Sequence, residues 1–125
     1  MRLRLFRNTV PEWVRNLAND DSNKPLLKQL ARASKLPLET PREMNFTICD
    51  VATEVDATAI CDQLTSGGWQ CRIDPDAQTN KSFWVEAQKR QYVINERQLH
   101  EDETTFMRLA KQYNAVYDGW YAAAV

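Results

Sequence analysis

The chain alternates between the two hydrophobic periods of regular structure. From Met44 to Val51 β-forming residues dominate and polar residues bound the run, which predicts a strand. Thr53-Glu54-Val55-Asp56 has the composition of a helix start, and Ala57, Ile60, Cys61 and Leu64 then recur at helical spacing. Gly67-Gly68 ends that helix, since glycine enters the left-handed region at no steric cost. Trp69, Cys71 and Ile73 alternate with Gln70 and Arg72, the period of a half-buried strand. A turn from Asp74-Pro75-Asp76 to Thr79-Asn80 leads into a second alternating run, with Phe83, Val85 and Ala87 on one side and Trp84, Glu86 and Gln88 on the other. Two strands around one turn make a hairpin. Asn95 is a suitable N-cap for a long helix with Leu99, Phe106, Leu109, Ala110 and Tyr113 on its buried side, and Asn114 is its stop. Ala115 to Val125, rich in Tyr, Val and Trp, is the last strand.

The order after residue 43 is β-α-β-β-α-β, which predicts a ferredoxin-like α+β domain: an antiparallel four-stranded sheet in the order 4-1-3-2 with both main helices on one face. Composition changes near Pro37-Leu38-Glu39-Thr40-Pro41, and two helical pieces precede it. Thr9-Val10-Pro11-Glu12 has capping-box spacing ahead of Trp13, Val14 and Leu17, and Asn23-Lys24-Pro25 opens a helix with Leu26, Leu27, Leu30 and Ala31 on one side. The pieces join around Asn19-Asp20-Asp21-Ser22. The expected organisation is a helical extension over residues 1–40 and the sheet domain over 41–125.

At 125 residues, one core is the natural number. No run approaches the roughly 18 apolar residues of a membrane span, so membrane insertion is not expected. The basic opening Met1 to Arg7 leads to Asn8, Thr9 and Pro11 instead of an apolar core, so export is not expected either. Three unclustered cysteines, Cys49, Cys61 and Cys71, fit reduced thiols and a cytoplasmic location. Charge changes the picture more. Residues 1–42 hold nine Lys and Arg against four acids, whereas residues 43–125 hold seven against thirteen. An acidic domain repels phosphate backbones and attracts basic proteins, though the same excess also serves plain solubility.

Catalytic chemistry finds no foothold in these residues. The single histidine, His100, sits beside Glu101, Asp102 and Glu103 in the first turns of the long helix, a surface position. Asp74 and Asp76 flank a proline as turn formers, the cysteines lack close pairing for zinc, and Gly67-Gly68 lacks the rest of any phosphate loop. No cofactor, metal or small-molecule substrate is expected. Lys81-Ser82-Phe83-Trp84-Val85 has a base and aromatics but not the glycines of an RNA-stacking strand, so direct RNA recognition is a weak match.

The stretch Leu109 to Trp120, above all Tyr117-Asp118-Gly119-Trp120, resembles the closing helix and strand of the RraB family of ribonuclease E regulators. Pro41-Arg42-Glu43, the helix end at Gly67-Gly68-Trp69 and the acidic turn before the second hairpin strand agree in order, so the resemblance covers about residues 35–125. It implies a non-catalytic, ferredoxin-like protein that binds ribonuclease E and restrains its cleavage of RNA. With strict two-residue alternation, Tyr117 and Gly119 share one face and Asp118 and Trp120 the other. Aromatics beside acids suit a basic segment, which makes Tyr117, Asp118, Trp120, Asp74 and Asp76 the expected partner contacts, unless the Gly marks a bulge and the Trp covers the sheet. Two alternatives stay open: a nucleic-acid-binding domain using the basic N-terminal arm, and an immunity protein that neutralises a nuclease toxin.

Overall fold

A computed structural model describes residues 23–76 and 81–125. The helix expected from Thr9, the joint before Asn23 and the Thr79-Asn80 end of the turn lie outside the described residues. The elements are α1 (Lys24–Ala33), β1 (Arg42–Val51), α2 (Glu54–Ser66), β2 (Gln70–Pro75), β3 (Phe83–Tyr92), α3 (Glu96–Gln112) and β4 (Val116–Ala122). The sheet runs β2-β3-β1-β4 with every pairing antiparallel, the expected order read from its other edge.

Local chemistry fixes the ends of both main helices. The Thr53 side chain accepts from the Asp56 amide, and Asn95 Oδ1 accepts from the amides of Arg97 and Gln98. Each helix then closes in a Schellman motif. After α2, Trp69 N–H reaches Leu64 O and Gly68 N–H reaches Thr65 O, with Gly68 at φ +89°. After α3, Ala115 N–H reaches Ala110 O and Asn114 N–H reaches Lys111 O, with Asn114 at φ +54°.

One core lies between the sheet and the helices. Met44, Phe46, Ile48, Val85, Ala87, Trp120 and Ala122 from the strands meet Ile60, Leu64, Leu99 and Phe106 from the helices. Phe46 stacks on Phe106 at 4.6 Å between ring centroids and meets the edge of Trp69 at 5.1 Å. Leu26, Leu27 and Leu30 of α1 join the same cluster, so this helix is part of the core, while Ala31 stays exposed.

Arg42, 2% exposed, fastens the chain leading into β1. Its guanidinium donates to Ser34 Oγ and to the carbonyls of Pro37, Leu38 and Ala123, and its Nε to Thr40 O. Burial lowers its pKa, against a raising contribution from Glu39. Lys35 and Leu36 amides donate to Val125 O, closing the same knot.

Two sequence expectations change here. Asp74 and Pro75 belong to β2 rather than to a turn; proline lacks an N–H, and β2 is an edge strand that need not donate on its outer side. In β4, Thr47 pairs with Gly119 but Ile48 pairs with Tyr117, leaving Asp118 as the extra residue of a bulge and Gly119 at φ +104°. The bulge resets the alternation. Tyr117 and Trp120 consequently share the helix-side face with Ile48 and Phe46, instead of lying on opposite faces.

Candidate functional site on the helix-free face of the sheet

Among the described residues no helix covers the other face of the sheet, which is built from alternate residues of all the strands. Register places Gln70, Arg72 and Asp74 of β2 against Gln88, Glu86 and Trp84 of β3, and Asn45 and Thr47 of β1 against Tyr121 and Gly119 of β4. Tyr121 donates its hydroxyl to Glu86 Oε1 at 2.7 Å, crossing β1 from one neighbouring strand to the other. Asn45 and Thr47 are buried on this face, and among the described residues Asn45 Oδ1 has no hydrogen-bond partner. Gln88 Nε2 donates to Glu43 Oε1 at the rim.

Two adjoining clefts mark the face. One, of about 410 Å³, is lined by Thr47, Arg72, Asp74, Pro75, Asp76, Trp84 and Glu86; the other, of about 400 Å³, by Glu43, Gln70, Cys71, Arg72, Glu86, Gln88 and Tyr121. Arg72 and Glu86 are common to both. Arg72 is largely exposed and bridges Asp74 at 2.7 Å and Glu86 at 3.5 Å, while Trp84 Nε1 donates to Asp76 Oδ2 at 3.4 Å. An exposed pair of this kind contributes well under about 1 kcal/mol to stability, so Arg72 orients the carboxylates more than it holds the fold. Towards β4, burial first, then Asp118, Asp50 and, least, Asp76 push the Cys49 thiol up to about 12.

The structure divides the expected contact residues. Asp74 and Asp76 line the first cleft together. Asp118, on the bulge, is half-buried and near enough to Cys49 to act on its thiol. Trp120, at 0% exposure, has no surface to offer a partner; it faces the helices, where its Nε1 donates to Asn23 Oδ1. Tyr117 donates to the buried Glu103 Oε2 and packs near Phe46 and Phe106. Trp84, Glu86, Glu43 and Tyr121 also line the clefts and were not among the expected residues, although the Trp84-Glu86-Gln88 alternation opposite Phe83-Val85-Ala87 already separated the outward side of β3.

The other candidates for chemistry lie outside this group of carboxylates. His100 is exposed on α3. Cys61 and Cys71 do meet, Cys71 hydrogen-bonding to Cys61, and burial followed by this neighbour pushes the Cys71 thiol up to about 12. Among the described residues no three His, Cys, Asp or Glu side chains come together to hold a metal, and no helix is long and apolar enough to cross a membrane.

The family model for regulator of ribonuclease activity B, RraB, matches residues 20–121, from just before α1 through most of β4. The chain belongs to the RraB family. No curated protein matches it. Membership in RraB gives a regulatory role in ribonuclease activity, in a family of regulators rather than catalysts. The RraB match takes in α1, in keeping with the place of Leu26, Leu27 and Leu30 in the common core.

Proposed function

We propose that this chain inhibits an endoribonuclease of the ribonuclease E type in the cytoplasm, without catalysis, by laying the helix-free face of its sheet on a basic, RNA-binding segment of the enzyme. The observation that carries this reading is the row of carboxylates on that face, Asp74, Asp76 and Glu86 around one cleft and Glu43 beside the next, with Trp84 and Tyr121 among them. Carboxylates compete with RNA phosphates for the same cations, and an aromatic ring holds a guanidinium by its face. The same row argues against nucleic acid as the direct ligand. Domains of this topology that bind RNA stack bases on sheet aromatics, whereas here anionic groups line the clefts and would repel a phosphate backbone.

Such an interface associates by electrostatic steering, so the on-rate falls as salt shortens the Debye length below about 8 Å. The test is binding of purified ribonuclease E to the full chain and to its Asp74→Asn/Asp76→Asn/Glu86→Gln variant, with RNA cleavage followed in parallel. Loss of binding and of inhibition by the variant is expected, with wild-type circular dichroism. Full inhibition by a folded triple variant would remove this face from the mechanism.

A further inference from the structure

The second cleft holds an acceptor that the fold leaves unanswered. Asn45 is 1% exposed, and among the described residues its Oδ1 meets no donor. Its cross-strand partners are Gln88 of β3 and Tyr121 of β4, and both line this cleft with Glu43 and Glu86, so the Asn45 amide lies at the bottom of it. We infer that the cleft is a socket for one arginine side chain of the partner, whose guanidinium donates to Asn45 Oδ1 between the Glu43 and Glu86 carboxylates. That the arginine belongs to the ribonuclease rests on the function proposed above; the chemistry of the socket does not.

The nearest donors are already committed. Gln88 and Tyr121 flank Asn45 across the two strand pairings, yet each is turned to a carboxylate, the Gln88 Nε2 to Glu43 Oε1 and the Tyr121 hydroxyl to Glu86 Oε1. A carboxylate is the stronger acceptor, so both donors are drawn to the rim and the amide between them is left bare. A buried acceptor without a donor costs the fold the desolvation of that group, whereas an apolar side chain of the same shape carries no such cost. The missing group is therefore a donor, and the flanking carboxylates make it a cation. Among cationic side chains the guanidinium matches this arrangement: it carries five N–H groups in a flat fork, sheds water more readily than an ammonium, and lies well against a ring such as that of Tyr121. The three donors of lysine radiate from one strongly hydrated point. The adjoining cleft contains the same pattern within the chain, since the Arg72 guanidinium meets Asp74 at 2.7 Å and Glu86 at 3.5 Å.

The experiment uses the full chain labelled with nitrogen-15 and two short probes, acetyl-Gly-Arg-Gly-amide and acetyl-Gly-Lys-Gly-amide. The arginine probe is expected to shift the side-chain amides of Asn45 and Gln88, with the exposed Val55 and Met107 on the helices unmoved, and to bind about fivefold or more tighter than the lysine probe. Asn45→Leu keeps the branched shape without the acceptor; it is expected to unfold at an equal or higher urea concentration and to bind the arginine probe about tenfold more weakly. Equal affinity for the two probes on the unchanged chain overturns the socket, whether or not the variant folds. Wild-type affinity of a folded Asn45→Leu chain for the arginine probe overturns it too, and leaves Asn45 with an ordered water only. Purified ribonuclease E is expected to bind Asn45→Leu about tenfold more weakly as well. Unchanged ribonuclease binding by a variant that has lost the probe upholds the socket and overturns its use by the enzyme. In that event the Asp74→Asn/Asp76→Asn/Glu86→Gln variant decides the proposed function separately: loss of the ribonuclease keeps the enzyme on this face, and full binding removes it.

Discussion

The indole Nε1 of Trp120 donates to Asn23 Oδ1 at 2.9 Å, joining residues 97 positions apart in the chain. Asn23 passes the link on, its amide donating to Glu103 Oε1 at 2.6 Å, while Tyr117 donates to the other oxygen of that buried carboxylate. The network ties α1, α3 and β4 together where a lone Glu would be costly to bury. Asn23→Ala is expected to destabilise the fold by about 2 kcal/mol, because it leaves a buried donor and carboxylate short of partners. Urea unfolding measures it, and a cost near zero would show the network to be incidental.

Trp120 itself is a packing residue, and Trp120→Ala should cost about 3–5 kcal/mol by opening a cavity opposite Phe46. Trp120→Phe retains the ring and loses the hydrogen bond, so it should cost less. Both are read from denaturation midpoints. A stable Ala variant that only lost partner affinity would mean that the indole is accessible after all.

Arg42→Ala should be among the more damaging single changes, at about 3 kcal/mol, since it orphans the carbonyls of Pro37, Leu38 and Ala123. Arg42→Lys cannot serve so many acceptors in one plane and should recover only part of this. Amide exchange provides the local readout. Lys35 and Leu36, bonded to Val125 O, should lose protection before the strands do.

Gly68→Ala is expected to cost about 1–2 kcal/mol from backbone strain alone, as the added Cβ would come no nearer than 3.9 Å to Lys89 Cε. Asn114→Gly, at φ +54°, should be neutral or slightly stabilising, and Asn114→Ala should cost about 1 kcal/mol. Thermal unfolding of the three variants separates conformational strain from crowding.

Stability should fall on the alkaline side. Cys49 and Cys71 rise from 9.0 to about 12 on folding, chiefly by burial, so both hold their protons more tightly folded than unfolded. Their contribution is complete below about pH 9 and is lost as pH climbs towards 12. Tyr92 shifts upward too, through burial and its hydrogen bond to Asp102, and acts with the same sign. Urea midpoints at pH 8 and pH 11 should differ, and a Cys49→Ala/Cys71→Ala variant should show a smaller drop. Equal drops would mean that the thiols are solvated.

Most of the scaffold was legible in the sequence because its signals are local. Thr53, Asn95, Gly68 and Asn114 each act within a few residues of themselves, and the alternation of β3 sorts its two faces without reference to a partner strand. The site was harder to read. Whether Trp120 points out or in depends on one bulged residue, Asp118, and a bulge is defined by the opposite strand, which lies some 70 positions away at Thr47 and Ile48. Tyr121 reached the face for a similar reason: only the pairing of β4 with β1 carries its hydroxyl over to Glu86.

The matching ends of α2 and α3 give the molecule a hidden twofold plan. Each central strand leads into a helix that is turned back by the same pair of backbone bonds and delivers an outer strand, β2 beside β3 and β4 beside β1. One half makes the reversal with glycine and the other with asparagine, so the equivalence lives in backbone geometry rather than in repeated letters. A change of surface chemistry on the outward sides of the strands leaves these reversals untouched, and the domain can therefore trade partners while keeping its frame.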